Sequence, residues 1–205
     1  MSLENLIETI QESFLSSQYD GQSRQKQKNI VLHIKGDKIF TEKNISLIVR
    51  HIKKLQNVNS FELRFDEHIV LSEECIYILE DCIQSQRSTC NLALKFGKNC
   101  MLGLNGIDIL IKSYSNLTQL VRLTLEIGRC NFLGYLGAKS IGESLKNFQQ
   151  LKFLILQIND QNDIGFKGTL EISQGLQLFI NAESSYVIGY VKGFFFIALR
   201  IAFRY

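Results

Sequence analysis

Apolar positions along this chain recur every 31 residues. Leu32, Leu63, Leu94, Leu125 and Leu156 form one column. Two residues before each stand Ile30, Phe61, Leu92, Leu123 and Leu154, and two after each stand Ile34, Phe65, Phe96, Ile127 and Ile158. Alternation with a period of two predicts a strand in every repeat. Eight residues after each leucine come Phe40, Leu71, Leu102, Leu133 and Ile164. At sixteen and twenty the columns are Ile48, Leu79, Leu110, Ile141, Ile172 and Ile52, Ile83, Tyr114, Leu145, Leu176. A step of four is one helical turn, so each strand is followed by a helix. All thirty positions are apolar in a chain that is 45% apolar; chance would produce that with a probability of roughly 10⁻¹⁰. Each unit reads strand, turn, helix, return loop, five times over about Ile30 to Phe179. No unit can bury its apolar face alone, so stacking creates the core.

The turn into each predicted helix carries start signals. Thr41, Ser72, Gly103, Gly134 and Gly165 are all residue types accepted at an N-cap. Glu42 and Glu73-Glu74 follow the first two, where they complement the helix dipole. Three residues on, Asn44, Cys75, Gly106, Gly137 and Gly168 form a column of small side chains suited to close approach between helix starts.

Asn131-Phe132-Leu133-Gly134-Tyr135-Leu136-Gly137-Ala138 and Asn162-Asp163-Ile164-Gly165-Phe166-Lys167-Gly168, each after a Leu-x-Leu-x-Ile strand or a close variant, resemble the Asn-x-Leu-Gly-x-x-Gly signature of leucine-rich repeats of the ribonuclease-inhibitor type. The resemblance covers about three quarters of the chain and is strongest from Leu92 to Leu176. It implies an α/β solenoid, a short horseshoe arc with parallel strands on the concave face and helices on the convex face. It also implies a ladder of buried Asn or Cys side chains bonded to backbone at the strand-to-loop corner. Cys100, Asn131 and Asn162 occupy that column here, whereas Lys38 and Ile69 stand in it in the first two repeats.

The organisation expected is an amphipathic helix and polar linker over 1–28, five repeats over 29–179, and an irregular hydrophobic tail over 180–205. Leu3, Leu6, Ile7, Ile10 and Phe14 give the N-terminal segment a helical stripe that could cap the first repeat. Val187 falls in the leucine column, but Ser185 and Gly189 flank it, so the repeat is read as fading there. The tail is expected to be a hydrophobic cap or partner-covered end, then a truncated or misassigned chain end, and last a membrane-associating segment. Ser184 to Leu199 contains Lys192 and falls short of the ~20 apolar residues of a spanning helix.

Composition narrows the classes further. A net charge of +3 implies no nucleic-acid partner. The complete lack of proline excludes Pro-rich linkers and recognition segments. Five cysteines with no Cys-x-x-Cys point to reduced thiols rather than a disulfide framework or a zinc site. With Glu4, Glu8 and Glu12 and no early Lys or Arg, the N-terminus does not read as a leader, so a cytoplasmic location is expected and the sequons at Asn44 and Asn116 are read as coincidence.

Other candidate chemistry is weaker. The three Gly-x-x-Gly pairs could cradle phosphate, but their recurrence at the repeat period assigns them to turn geometry. His33, His51 and His68 have no ligand spacing. Cys75 and Cys82 share a helix and are read as core, and Asp66-Glu67-His68 as a solvated corner. No enzyme, cofactor or metal is expected. The binding surface expected is the concave face, where residues alternate with the core columns: His33 and Lys35; Glu62, Arg64 and Asp66; Lys95; Thr124 and Glu126; Gln157 and Asn159. Lys35, Arg64 and Lys95 balance Glu62, Asp66 and Glu126, which suits an unidentified protein partner and a scaffold role. The alternatives are a repeat region of a larger enzyme such as a protein kinase, or a GTPase-activating repeat protein.

Overall fold

The computed structural model describes residues 28–35, 41–55, 57–148, 150–181 and 186–191. The expected N-terminal helix, Lys38, Phe40 and the tail beyond residue 191 lie outside them. Strands and helices alternate throughout: β1 Lys28–Ile34, α1 Glu42–Ile52, β2 Val58–Phe65, α2 Glu73–Ser85, β3 Asn91–Phe96, α3 Gly103–Ser115, β4 Arg122–Ile127, α4 Gly134–Leu145, β5 Phe153–Ile158, α5 Gly165–Asn181 and β6 Tyr186–Val191. The strands form one parallel sheet in the order β1-β2-β3-β4-β5-β6. Each helix packs beside the next. The arrangement is compatible with a solenoid.

The register follows the 31-residue period. Leu32 pairs with Leu63, Leu63 with Leu94, Leu94 with Leu125 and Leu125 with Leu156. All five leucines are buried, as are the columns two residues to either side. Phe65 and Phe96 stack at 5.3 Å between ring centroids. Removing one such side chain, as in Leu94→Ala, costs about 2–5 kcal/mol. The other strand face holds residues that are mostly half-buried or exposed, so the helices cover one face and leave the second open.

The sheet continues further than the five expected repeats. Tyr186–Val191, expected to be irregular, is a sixth strand. Val187 is a core residue there, but it pairs with Leu154 rather than Leu156. The last spacing is 33 residues because α5 has 17 residues where the earlier helices have 11 to 13. A search at a fixed period therefore reads the strand two positions out of phase, placing Gly189 and Ser185 where Val191 and Val187 belong.

The corners fall into two kinds. Thr41 and Ser72 are extended N-caps whose hydroxyls accept from the amides of Asn44 and Cys75. Gly103, Gly134 and Gly165 do not cap in this way. They open their helices with φ of 59°, 62° and 60°, and α3 and α4 have no side-chain cap. No atom lies within 4 Å of where their Cβ would sit, so backbone conformation alone selects glycine.

Candidate functional site

Strand register assembles the expected binding residues into rows across the open face. His33, Arg64, Lys95, Glu126 and Gln157 are successive cross-strand neighbours, and Glu62, Ala93, Thr124 and Ile155 form the row before them. The Lys95 ammonium lies 3.1 Å from Glu62 and 3.7 Å from Glu126, linking three strands. His33 Nε2 lies 2.7 Å from Asp66 Oδ1. Lys35 and Arg64 are exposed, and Arg64 makes no ion pair among the described residues. Thr124 departs from expectation. It is only 8% exposed, a short side chain in the middle of the sheet between Ala93 and Ile155, and offers little to a partner.

Beyond the strand ends Asp66, Gly97, Gly128 and Asn159 follow one another at the repeat spacing. A Cβ on Gly97 would lie 2.6 Å from the carbonyl carbon of Asp66, and one on Gly128 2.5 Å from that of Gly97. Real Cβ atoms do not approach backbone so closely, so only glycine fits at both positions. The missing side chains open a trough of about 760 Å³ across β2 to β5, walled by Arg64, Lys95, Lys98, Glu126, Arg129 and Gln157.

Beneath the floor runs a ladder of side-chain amides. Asn131 Nδ2 donates to the carbonyls of Gly97 and Gly128 at 2.9 and 3.1 Å. Asn162 Nδ2 donates to those of Gly128 and Asn159 at 2.8 and 2.7 Å, while its Oδ1 accepts from the Asn131 amide at 2.9 Å. The Cys100 thiol donates to the Asp66 carbonyl at 3.4 Å. These bonds engage the floor carbonyls from below.

Of the next column only Glu67 was singled out by the sequence, as part of a solvated corner. Glu67, Lys98, Arg129 and Asp160 form a fully charged column immediately after the floor residues, and three of them were readable as trough rim from their common spacing. Arg129 Nε pairs with Asp160 Oδ1 at 2.8 Å.

Three of the five cysteines lie in the interior. Cys75, Cys82 and Cys100 are buried. Burial pushes the Cys82 thiol up to about 12 and the Cys100 thiol up to about 11, so both are neutral at physiological pH and weak as nucleophiles or ligands. Burial likewise raises the Tyr114 hydroxyl. Among the described residues no helix is long and apolar enough to cross a membrane. No family model and no curated protein matches the chain.

Proposed function

We propose that the chain is a non-catalytic protein-binding or scaffold module of the leucine-rich-repeat type, which holds a protein partner on its strand face. The Cys100, Asn131 and Asn162 hydrogen bonds support that repeat type. Geometry supports a concave strand face. Neighbouring helices need about 8–10 Å and neighbouring strands about 4.8 Å, so stacking them one to one curves the array with strands inside.

The observation that carries the reading is the Glu62–Lys95–Glu126 network beside a glycine-floored trough. The lining mixes both signs, with Arg64, Lys95, Lys98 and Arg129 beside Asp66, Glu67 and Glu126. A phosphate backbone would meet three carboxylates beside the four cations, whereas a protein surface of mixed charge can match both signs. Four of the carboxylates are already engaged, Glu62 and Glu126 by Lys95, Asp66 by His33 and Asp160 by Arg129, which suits fixed recognition better than proton transfer.

Arg64→Glu tests the proposal, since Arg64 is exposed and its replacement should leave the melting temperature unchanged. Affinity capture from native extract with the wild-type chain should retain a specific partner that the variant loses. A set of bound proteins identical for both would refute the assignment of this face.

A further inference from the structure

The open face of the sheet changes character from one end to the other. Its charged strand residues lie on β1 to β4, whereas β5 and β6 contain no charged residue. In the row that runs through Glu62, Ala93 and Thr124, the last two residues are Ile155 and Ile188. Ile155 is half-buried, and Ile188 on the last strand is 63% exposed. On the same face the Arg122 guanidinium of β4 lies 4.4 Å from the ring centroid of Phe153 on β5. Apolar surface therefore meets water on the strands where the charges stop.

At the other end the ion pairs do not balance. Of the four cations that line the trough, Lys95 is held by Glu62 and Glu126, and Arg129 by Asp160. Arg64 and Lys98 make no ion pair among the described residues. Of the lining carboxylates, His33 holds Asp66 and Lys95 holds Glu126, which leaves Glu67 without an ion pair among the described residues. Two unpaired cations against one unpaired carboxylate leave an excess of one positive charge, above a floor that Gly97 and Gly128 keep free of side chains. A single carboxylate matches that excess. A phosphate group, with up to about two charges, would leave charge unmatched beside Asp66, Glu67 and Glu126.

We propose that the partner of the strand face lays one continuous segment across β2 to β6, with an Asp or Glu carboxylate held by Arg64 and Lys98 and a large apolar side chain on Ile155 and Ile188. The inference rests on the strand-face reading above and adds the chemistry and direction of what binds there. The Arg64 fork can donate two parallel hydrogen bonds to a carboxylate, so it fixes orientation, while Lys98 acts as a point charge. Arg64 and Ile188 stand four strand spacings apart, about 19 Å at ~4.8 Å each. An extended chain covers about 3.3 Å per residue, so with side chains reaching inward from both ends the two anchors need at least about four positions between them.

Selection from phage-displayed random peptides of about 16 residues, long enough to cross the face, tests this with the full chain as bait. Enriched peptides should share an Asp or Glu and, at least about four positions away, a Leu, Ile, Met or Phe. A synthetic peptide of the enriched sequence should bind about ten-fold more weakly to each of Arg64→Glu, Lys98→Glu and Ile188→Glu, with circular dichroism unchanged. Replacing the peptide's acidic residue by Lys should weaken binding to the wild-type chain and restore it on Arg64→Glu, a rescue that a misfolded variant cannot give. Enriched peptides that need Arg64 but carry no acidic residue, or that ignore Ile188, would overturn the inference and leave the strand-face reading standing, as would a selection with no enriched sequence. Peptides that bind all three variants as well as wild type would overturn both.

Discussion

The first two corners and the last three solve the same problem by different means. At Thr41 and Ser72 an extended residue turns the chain into the helix and a hydroxyl satisfies an amide of the first turn. At Gly103, Gly134 and Gly165 the backbone winds through alternate left-handed residues. Asn99 and Met101 precede the first glycine, Cys130 and Phe132 the second, and Gln161 and Asp163 the third, all with φ between 54° and 60°, whereas the second corner shares only the first of each pair, at His68 with φ 64°. Such a path is costly for side chains other than Asn, Asp and Gly, on the order of 1 kcal/mol each. Amide ladders stabilise it from within: Asn131 and Asn162 are buried under these corners, whereas the apolar Ile69 is buried in the same position under the second. A side-chain cap is local. A ladder ties each corner to its neighbours, and it belongs to the half of the chain that holds the floor of the trough.

The largest effects should come from exchanging the buried residues of the two regions. Asn162→Leu leaves the Asn159 carbonyl without its donor and the Asn131 backbone amide without its acceptor, and leaves the Gly128 carbonyl with Asn131 Nδ2 alone. Each stranded buried group costs about 1–3 kcal/mol, so urea unfolding should show a loss of about 3–5 kcal/mol. Ile69→Asn puts an amide into a site only 1% exposed and should cost about 2–4 kcal/mol. If Asn162→Leu were as stable as wild type, the ladder would not be what holds the last corners.

Most of the architecture was legible because it rests on repetition. Thirty apolar positions report strand, helix and register together, and that signal survives weak local propensities. Legibility failed where the period changed, at β6, because a helix longer by a turn shifts everything after it. The corner column was read as five N-caps because Ser, Thr and Gly share that preference, although they meet it by opposite means. The neighbouring column separates them. Val70 is β-branched and nearly barred from left-handed backbone, while Met101, Phe132 and Asp163 are not branched at Cβ. The rows of the open face followed from alternation, but the trough did not. It arises from two absent side chains and from backbone proximity that no single strand reveals.

Intermediate effects should separate the two kinds of turn. Ser72→Ala removes the acceptor for the Cys75 amide and should cost about 1 kcal/mol, whereas Ser72→Gly should cost only a few tenths. The order inverts at the third corner. Gly103→Ser introduces a Cβ at a φ of 59° and should cost about 1–2 kcal/mol in thermal or urea unfolding, although nothing lies within 4 Å of the new atom. Equal costs for Ser72→Gly and Gly103→Ser would mean that the two corners are not different in kind.

The smallest effect is the most discriminating, because it changes backbone preference with little change in contact. Met101 has a φ of 58° and is half exposed, so replacing it by Asn forfeits modest apolar burial and gains a residue that adopts left-handed backbone readily. Met101→Asn should therefore be neutral or more stable by up to about 0.5 kcal/mol, measured by urea unfolding. Met101→Val retains apolar character but is branched at Cβ, and should lose about 1–2 kcal/mol at the same position. Val70→Asn, in the corner where this column is not left-handed, should lose stability where Met101→Asn does not. Two substitutions to the same residue, at equivalent positions one repeat apart, would then differ in sign for a reason that lies entirely in the backbone.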